Sequence, residues 1–338
     1  MIDKNIVRLG CAVQPVRSLL KGTSQVMLQG NAWTGLLFLL GIFLGAYQEG
    51  MPVVAWGAVV GLLSATWAGY LLPEPISEGE EGLWGFNGIL VGCALPTFLG
   101  NRPEMWVALV LCSASTCWLR TGLNRMLKPW KINSLTLPFI LLTWIYVAAS
   151  FRFSGMVTEE VATSTASQSV VSLSFSSLWV YWLKGIGQVF LLNSWMAGLC
   201  FLVGLLISNR PAAMWAALGS AIGIAIAWLY GAPETDIAEG LYGFSPVLTA
   251  IALGSVFYPM NRKSFIWAIL ATVTTVFIQA SLDALLAPLS LHTLTMPFCL
   301  ATWLFLLPMY KFGPTEADHT HWHLPQWREK KDVLSTKS

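Results

Sequence analysis

The chain has 338 residues, of which 55% are hydrophobic and 11% charged, and its formal net charge is +2. Soluble domains carry about twice that charged fraction, so a water-soluble globular domain is excluded. A mean hydropathy of +0.63 points instead to an integral membrane protein, and the small net charge without a basic stripe excludes a nucleic-acid partner.

Along the chain, the start MIDKNIVRLG lacks a cleavable signal-peptide pattern, and the first apolar run begins only after Lys21. Runs of roughly 20 apolar residues, the length a spanning helix needs, cover 22–48, 50–73, 82–101, 132–151, 185–209, 211–233, 240–261, 264–282 and 284–310, with a shorter one at 105–119. The Ser/Thr-rich stretch 162–177 reads as a linker, and the chain from Lys311 as a charged tail. The expected fold is an all-α integral membrane protein of ten transmembrane helices in two five-helix repeats. Its parts are a first repeat at 1–155, a linker at 156–180, a second repeat at 181–311 and a cytoplasmic tail at 312–338. The 17 tryptophans and 29 glycines suit membrane helices. The six cysteines contain no CxxC pair and read as small buried hydrophobes.

The halves repeat in order. Lys21, Gln25 and Leu28 match Lys184, Gln188 and Leu191; Gly35 and Phe38 match Gly198 and Phe201. Gly82, Gly85 and Phe86 match Gly240, Gly243 and Phe244; Thr136, Pro138 and Phe139 match Thr295, Pro297 and Phe298. Five spans per repeat is odd, so the second copy must enter from the opposite side, as an inverted repeat about an axis in the membrane plane. Basic residues agree. With both termini inside, Arg8, Arg17, Lys21, Arg125, Lys128, Lys131, Arg210, Arg262 and Lys263 fall on the inner face and only Arg102, Arg152 and Lys184 on the outer.

Within the repeat, SLTLPF at 134–139 returns as TLTMPF at 293–298. The residue before a proline avoids the α region, so Leu137 and Met296 are expected to be extended, with a helix starting at each proline. The upstream stretches 121–133 and 280–292 are too short and polar to span and read as half-helices that enter and return. Irregular backbone at membrane depth lines a cavity or is buried in protein, and paired breaks in inverted repeats mark a central site. Thr136 and Thr295 are thus expected to meet near the midplane, with freed carbonyls forming a polar waist. A plain proline kink is the alternative.

Almost no ionisable residue lies inside the apolar runs, which argues for a neutral solute moving down its gradient. Helix N-termini at the waist would also repel cations. Gln25 and Gln188 each offer an amide donor and acceptor at the start of a span. A small planar amide such as urea fits this chemistry, because carbonyls and hydroxyls can replace the hydrogen bonds it loses on leaving water.

These residues resemble the urea transporters, whose signature L-P-x-x-T-x-P-F appears here at 132–139 and 291–298 with Asn133 and His292 in place of the first proline. The likeness runs from about residue 20 to 311. It implies passive urea permeation in a bacterial inner (cytoplasmic) membrane, a homotrimer with one pore per subunit, no cofactor and no resident metal. It further implies that Thr136 and Thr295 line the constriction and that Gln25 and Gln188 flank it. Phe86 and Phe244 would wall the slots, with Leu90 and Leu248 one turn along and Val26 and Val189 beside the glutamines. Family members place an aromatic three residues after the glutamine; Leu28 and Leu191 stand there, which leaves short amides or ammonia as alternative solutes.

Competing readings remain at single residues. Phe86 and Phe244 could be plain core, Gln25 and Gln188 solvated interface, and Lys21 and Lys184 interfacial anchors. His292, near Thr295, could titrate and gate or simply be satisfied. His319, His321 and His323 could bind a metal or belong to a solvated tail. An ammonia channel should carry a buried histidine pair, a coupled carrier charged groups in its spans, and an enzyme a nucleophile–base pair or metal cluster. The sequence has none of these.

Overall fold

Apolar segments in a bilayer satisfy their backbone groups only internally, which makes helix the default here. The computed structural model describes residues 4–73, 75–153, 155 and 175–308, with side chains from residue 15 onward except at position 175. In the first half lie α1 (Lys4–Gln25), α2 (Ala32–Gln48), α3 (Pro52–Gly69), α4 (Ile76–Glu80), α5 (Phe86–Leu99), α6 (Pro103–Leu127) and α7 (Leu137–Ser150). In the second lie α8 (Leu178–Gly187), α9 (Trp195–Ser208), α10 (Arg210–Leu229), α11 (Glu234–Ala238), α12 (Phe244–Ile251), α13 (Arg262–Leu286) and α14 (Met296–Leu306). No strand occurs among the described residues. Most of the expected linker, the tail and its three histidines lie outside them.

Four helices, α3, α6, α10 and α13, are long and apolar enough to cross a membrane, and α8 and α9 pass together as a pair bent by 76°. The apolar helices α2, α5, α7, α12 with its closing π-turn, and α14 have only 10–17 residues. A 14-residue helix such as α5 or α7 is about 21 Å long, less than the roughly 30 Å hydrocarbon core. Along their outer faces α2 and α3 expose Trp33, Leu36, Leu40, Trp56, Leu63 and Trp67. Apolar faces of this kind suit lipid, and the chain is a multi-pass membrane protein.

Two expectations change. The proposed half-helices at 121–133 and 280–292 are the ends of the continuous helices α6 and α13, each 25 residues long. Just before each stretch a polar side chain finds a tertiary partner. Arg120 pairs with Glu78 at 2.8 Å, and the Gln279 amide donates to the Leu241 carbonyl at 2.5 Å. The short helices lie downstream of the breaks, as α7 and α14. The run 22–48 is likewise not one helix. Leu28 adopts a left-handed φ of 62°, Ser24 donates to the Gln29 carbonyl at 2.7 Å, and Asn31 caps a new helix through the amides of Trp33 and Thr34. The matching run 185–209 breaks at Leu191, φ 58°.

The backbone repeats as the side chains do. Left-handed φ values occur at Leu28 and Leu191, at Lys131 and Ser290, and at Leu135 and Leu294. Gly82 and Gly240 have φ of 77° and 75°, and a Cβ there would lie 2.2 Å and 2.5 Å from the amides of Gly22 and Gly185. Only glycine fits a turn docked so closely on α1 or α8. Between the halves, contacts are reciprocal. A Cβ at Gly41 would meet the Phe201 ring at 2.7 Å, and one at Gly204 would meet the Phe38 ring at 2.8 Å. Equivalent residues exchanging equivalent contacts are the mark of a two-fold relation between α2 and α9.

Candidate functional site

The two breaks are built from the same turn. Leu135 and Leu294 take left-handed φ, and the Leu137 and Met296 amides donate to the Ser134 and Thr293 carbonyls at 2.9 Å and 3.1 Å. Leu137 and Met296 are therefore the first helical residues of α7 and α14, not extended as expected. The pre-proline bias is a steric preference, and a closed turn overrides it. The bend falls two residues earlier. The carbonyls expected to be free there are taken across the halves. Trp144 of α7 donates its indole N–H to the His292 carbonyl, and Trp303 of α14 donates to the Asn133 carbonyl, both at 2.8 Å. His292 itself stacks on Phe98 at 4.7 Å.

Thr136 and Thr295 are the N-caps of α7 and α14, yet neither hydroxyl caps its own helix. A cap hydroxyl ordinarily accepts from the second or third helical amide. Proline, the second residue of each helix, has no N–H. The third amide of α7, at Phe139, donates instead to Asn87 Oδ1 at 3.3 Å. The hydroxyls are thereby released, and Thr136 Oγ1 meets Thr295 Oγ1 at 2.7 Å. Thr136 Oγ1 also lies 3.3 Å from Cys299 Sγ. Both threonines are buried, at 2% and 3% exposure. The N-termini of α5 and α7 meet at the Asn87 bond, and that of α14 joins them at the threonine contact. Helix N-termini carry partial positive charge.

The glutamines hold the preceding turns. Gln25 Nε2 donates to the Glu81 carbonyl and Gln188 Nε2 to the Glu239 carbonyl, both at 2.9 Å. Part of each amide expected to meet solute is thus structural. Lys21 is no simple interfacial anchor, since it pairs with Glu81 at 2.9 Å. Lys184 acts instead on two carboxyls, Glu49 and Glu239. Burial pushes Glu49 up to about 7, opposed by a hydrogen bond from the Asn193 backbone and by Lys184, with Glu239 adding to the rise. Burial and then Asp236 raise Glu239, against Lys184.

Val26, Leu28, Phe86, Leu90, Val189, Phe244 and Leu248 all belong to one buried apolar cluster, and the half-buried Leu191 packs against it. Leu191 stands where family members place an aromatic; Phe190, one position earlier, packs against Phe38 and Phe201 at 5.9 Å and 4.9 Å. Three contributors escaped the sequence reading. Asn87 follows the matched Gly85 and Phe86 but is itself replaced by Ser245 in the second half. Cys299 looked like a core cysteine. Arg120 and Glu78 pair across 42 positions, which no local pattern signals.

A family model described as urea transporter matches residues 16–310. Urea transporter 1 of Ovis aries is 32% identical over 302 residues, covering 88% of this chain and 77% of the relative. Urea transporter 1 of Mus musculus is 30% identical over 298 residues, covering 86% and 76%. With the fold and the paired breaks in hand, these matches show that the chain belongs to the urea transporter family.

Proposed function

We propose that the Thr136–Thr295 contact is the central constriction of a pore through which urea passes passively, between the two halves of one subunit. The chain is a transporter and not an enzyme. The hydrogen bond between two matched, buried threonines at 2.7 Å carries the reading. Entering urea exchanges that bond for bonds to both hydroxyls, so the waist opens at small net cost. Converging helix N-termini disfavour cations at the waist. Phe86 with Leu90 and Phe244 with Leu248 wall the flat faces of the solute on either side, beside Val26, Leu28, Val189 and Leu191. Gln25 and Gln188 mark the two mouths of the pore.

The reading extends to layout. Ten membrane segments form two inverted repeats, supported by the matched breaks, the reciprocal α2–α9 contacts and the basic residues gathered on one face. Both termini are cytoplasmic, the membrane is a bacterial inner membrane, and the assembly is a homotrimer, the last two from the family resemblance.

Stopped-flow light scattering on proteoliposomes tests the function. Urea equilibrates fast without any ion gradient, while glycerol lags. Thr136→Val and Thr295→Val each lower urea permeability about fivefold, the equivalent of one hydrogen bond of roughly 1 kcal/mol. Urea flux no faster than in empty vesicles would sink the proposal.

A further inference from the structure

We propose that Thr143 and Thr302 are two further hydrogen-bonding positions for urea, one on each side of the Thr136–Thr295 waist; this rests on reading that waist as the urea constriction. Each lies seven residues beyond its waist threonine, on α7 and α14. Seven residues are close to two helical turns, so each hydroxyl shares the face of the waist threonine and stands about 10 Å along the axis. Both are fully buried, Thr143 at 1% and Thr302 at 0% exposure.

Neither hydroxyl has a hydrogen-bond partner among the described residues. Several helical threonines elsewhere in this chain behave otherwise, though Thr121 does not. Thr97, Thr272, Thr274 and Thr275 donate to the carbonyl four residues back at 2.7–2.9 Å, and Thr116 to the one three back at 2.6 Å. That bond is available to any helical threonine. A buried hydroxyl without a partner is destabilising, and here it recurs at equivalent places in both halves.

Among the described residues, the unpartnered buried polar groups form only two matched pairs. One is Thr143 with Thr302. The other is Asn87 with Ser245, whose Nδ2 and Oγ stand at the N-termini of α5 and α12. Asn87 Oδ1 ties this second pair to the start of α7, at the waist. Unpartnered groups elsewhere, such as Thr121 and Trp84, have no such counterpart. Orphaned groups collected on the path, in symmetric positions, fit a solute that binds and leaves. A hydroxyl can donate to the urea carbonyl or accept from its amide, so one hydroxyl per level serves either orientation.

Valine replaces threonine without changing its shape, and that makes the test sharp. Thr143→Val and Thr302→Val are reconstituted beside wild type and Thr136→Val, with urea flux and the thermal midpoint measured for each. The expected result is a severalfold loss of urea flux in both variants at an unchanged or raised midpoint, because an unsatisfied hydroxyl has gone. Thr143→Ser and Thr302→Ser, which keep the hydroxyl, retain more flux than the valine variants. Wild-type flux in the valine variants overturns the inference. Should valine lower the midpoint, Ser and Ala replacements of matched stability decide: equal flux overturns the inference, and loss in Ala alone supports it. Wild-type flux in Thr136→Val overturns the waist reading itself, whereas loss there with full flux at 143 and 302 overturns only the outer positions.

Discussion

At the mouth proposed for the first half, Lys21 pairs with Glu81 at 2.9 Å and Arg120 with Glu78 at 2.8 Å. At the mouth of the second half the same framework carries different chemistry. Gln279 stands where Arg120 does and donates to a carbonyl, while Lys184 acts on Glu49 and Glu239, with no ion pair within 4.0 Å among the described residues. The glutamine bonds that hold the two turns are the same, at 2.9 Å each. The difference separates two roles that the repeat alone leaves merged. Backbone geometry and the amide tether shape the mouth; the charges around it are free to diverge. One mouth is clamped by compensated charge; at the other, burial raises the carboxyls of Glu49 and Glu239.

The clamp should give the largest effect. Arg120→Gln copies the second half into the first and leaves Glu78 without its partner. Because Arg120 is 7% exposed but Glu78 33%, the pair is partly screened, and the expected loss is about 2 kcal/mol, seen as a lower thermal midpoint in detergent. Gln279→Ala at the matching position should lower the midpoint less. Equal effects would break the contrast between the two mouths.

A smaller difference is expected from the tethers. Gln25 is 1% exposed, whereas Gln188 is half-buried and its bond is solvent-accessible. Gln25→Leu leaves the Glu81 carbonyl without that donor and costs about 1 kcal/mol. Gln188→Leu costs less, because water can replace the amide. Midpoints for the two variants, read with urea flux, sharpen the comparison; a larger loss at Gln188 would reverse it.

The smallest effect is the pH response of the second mouth. Glu49 has a folded-state value of about 7 against an ordinary 4.5. Between those values the folded state binds the extra proton, so this carboxyl makes stability fall as pH rises from about 5 to 8. Glu49→Gln should flatten that part of the midpoint–pH curve and raise the midpoint at pH 8. An unchanged slope would show that Glu49 is ionised at neutral pH in the folded protein.

Much of this was legible in sequence because its cause is local. The membrane class follows from composition, the repeat from matched residues in matched order, and the meeting of Thr136 with Thr295 from a two-fold relation between two copies of one motif. Where local cues misled, a distant residue supplied what seemed missing. The stretches 121–133 and 280–292 looked too short and polar to span, yet each begins as the end of a continuous helix. Just before them Arg120 and Gln279 reach Glu78 and the Leu241 carbonyl, far away in sequence. The proline was correctly tied to a helix start, but its effect on Leu137 was overridden by the turn closed at Ser134.

Sequence by itself determined that this is a helical membrane protein of the urea transporter family, in two repeated halves with a threonine–proline break in each. Periodicity, apolar length and the missing N–H of proline act within a few residues and need no fold to be read. Only tertiary structure decided which polar groups are spent and which are left over. The Asn133 and His292 carbonyls go to tryptophans of the opposite half, the Phe139 amide goes to Asn87, and the two waist hydroxyls are left to each other. A buried polar group is defined by what reaches it, and in this chain those partners come from 52 to 170 positions away.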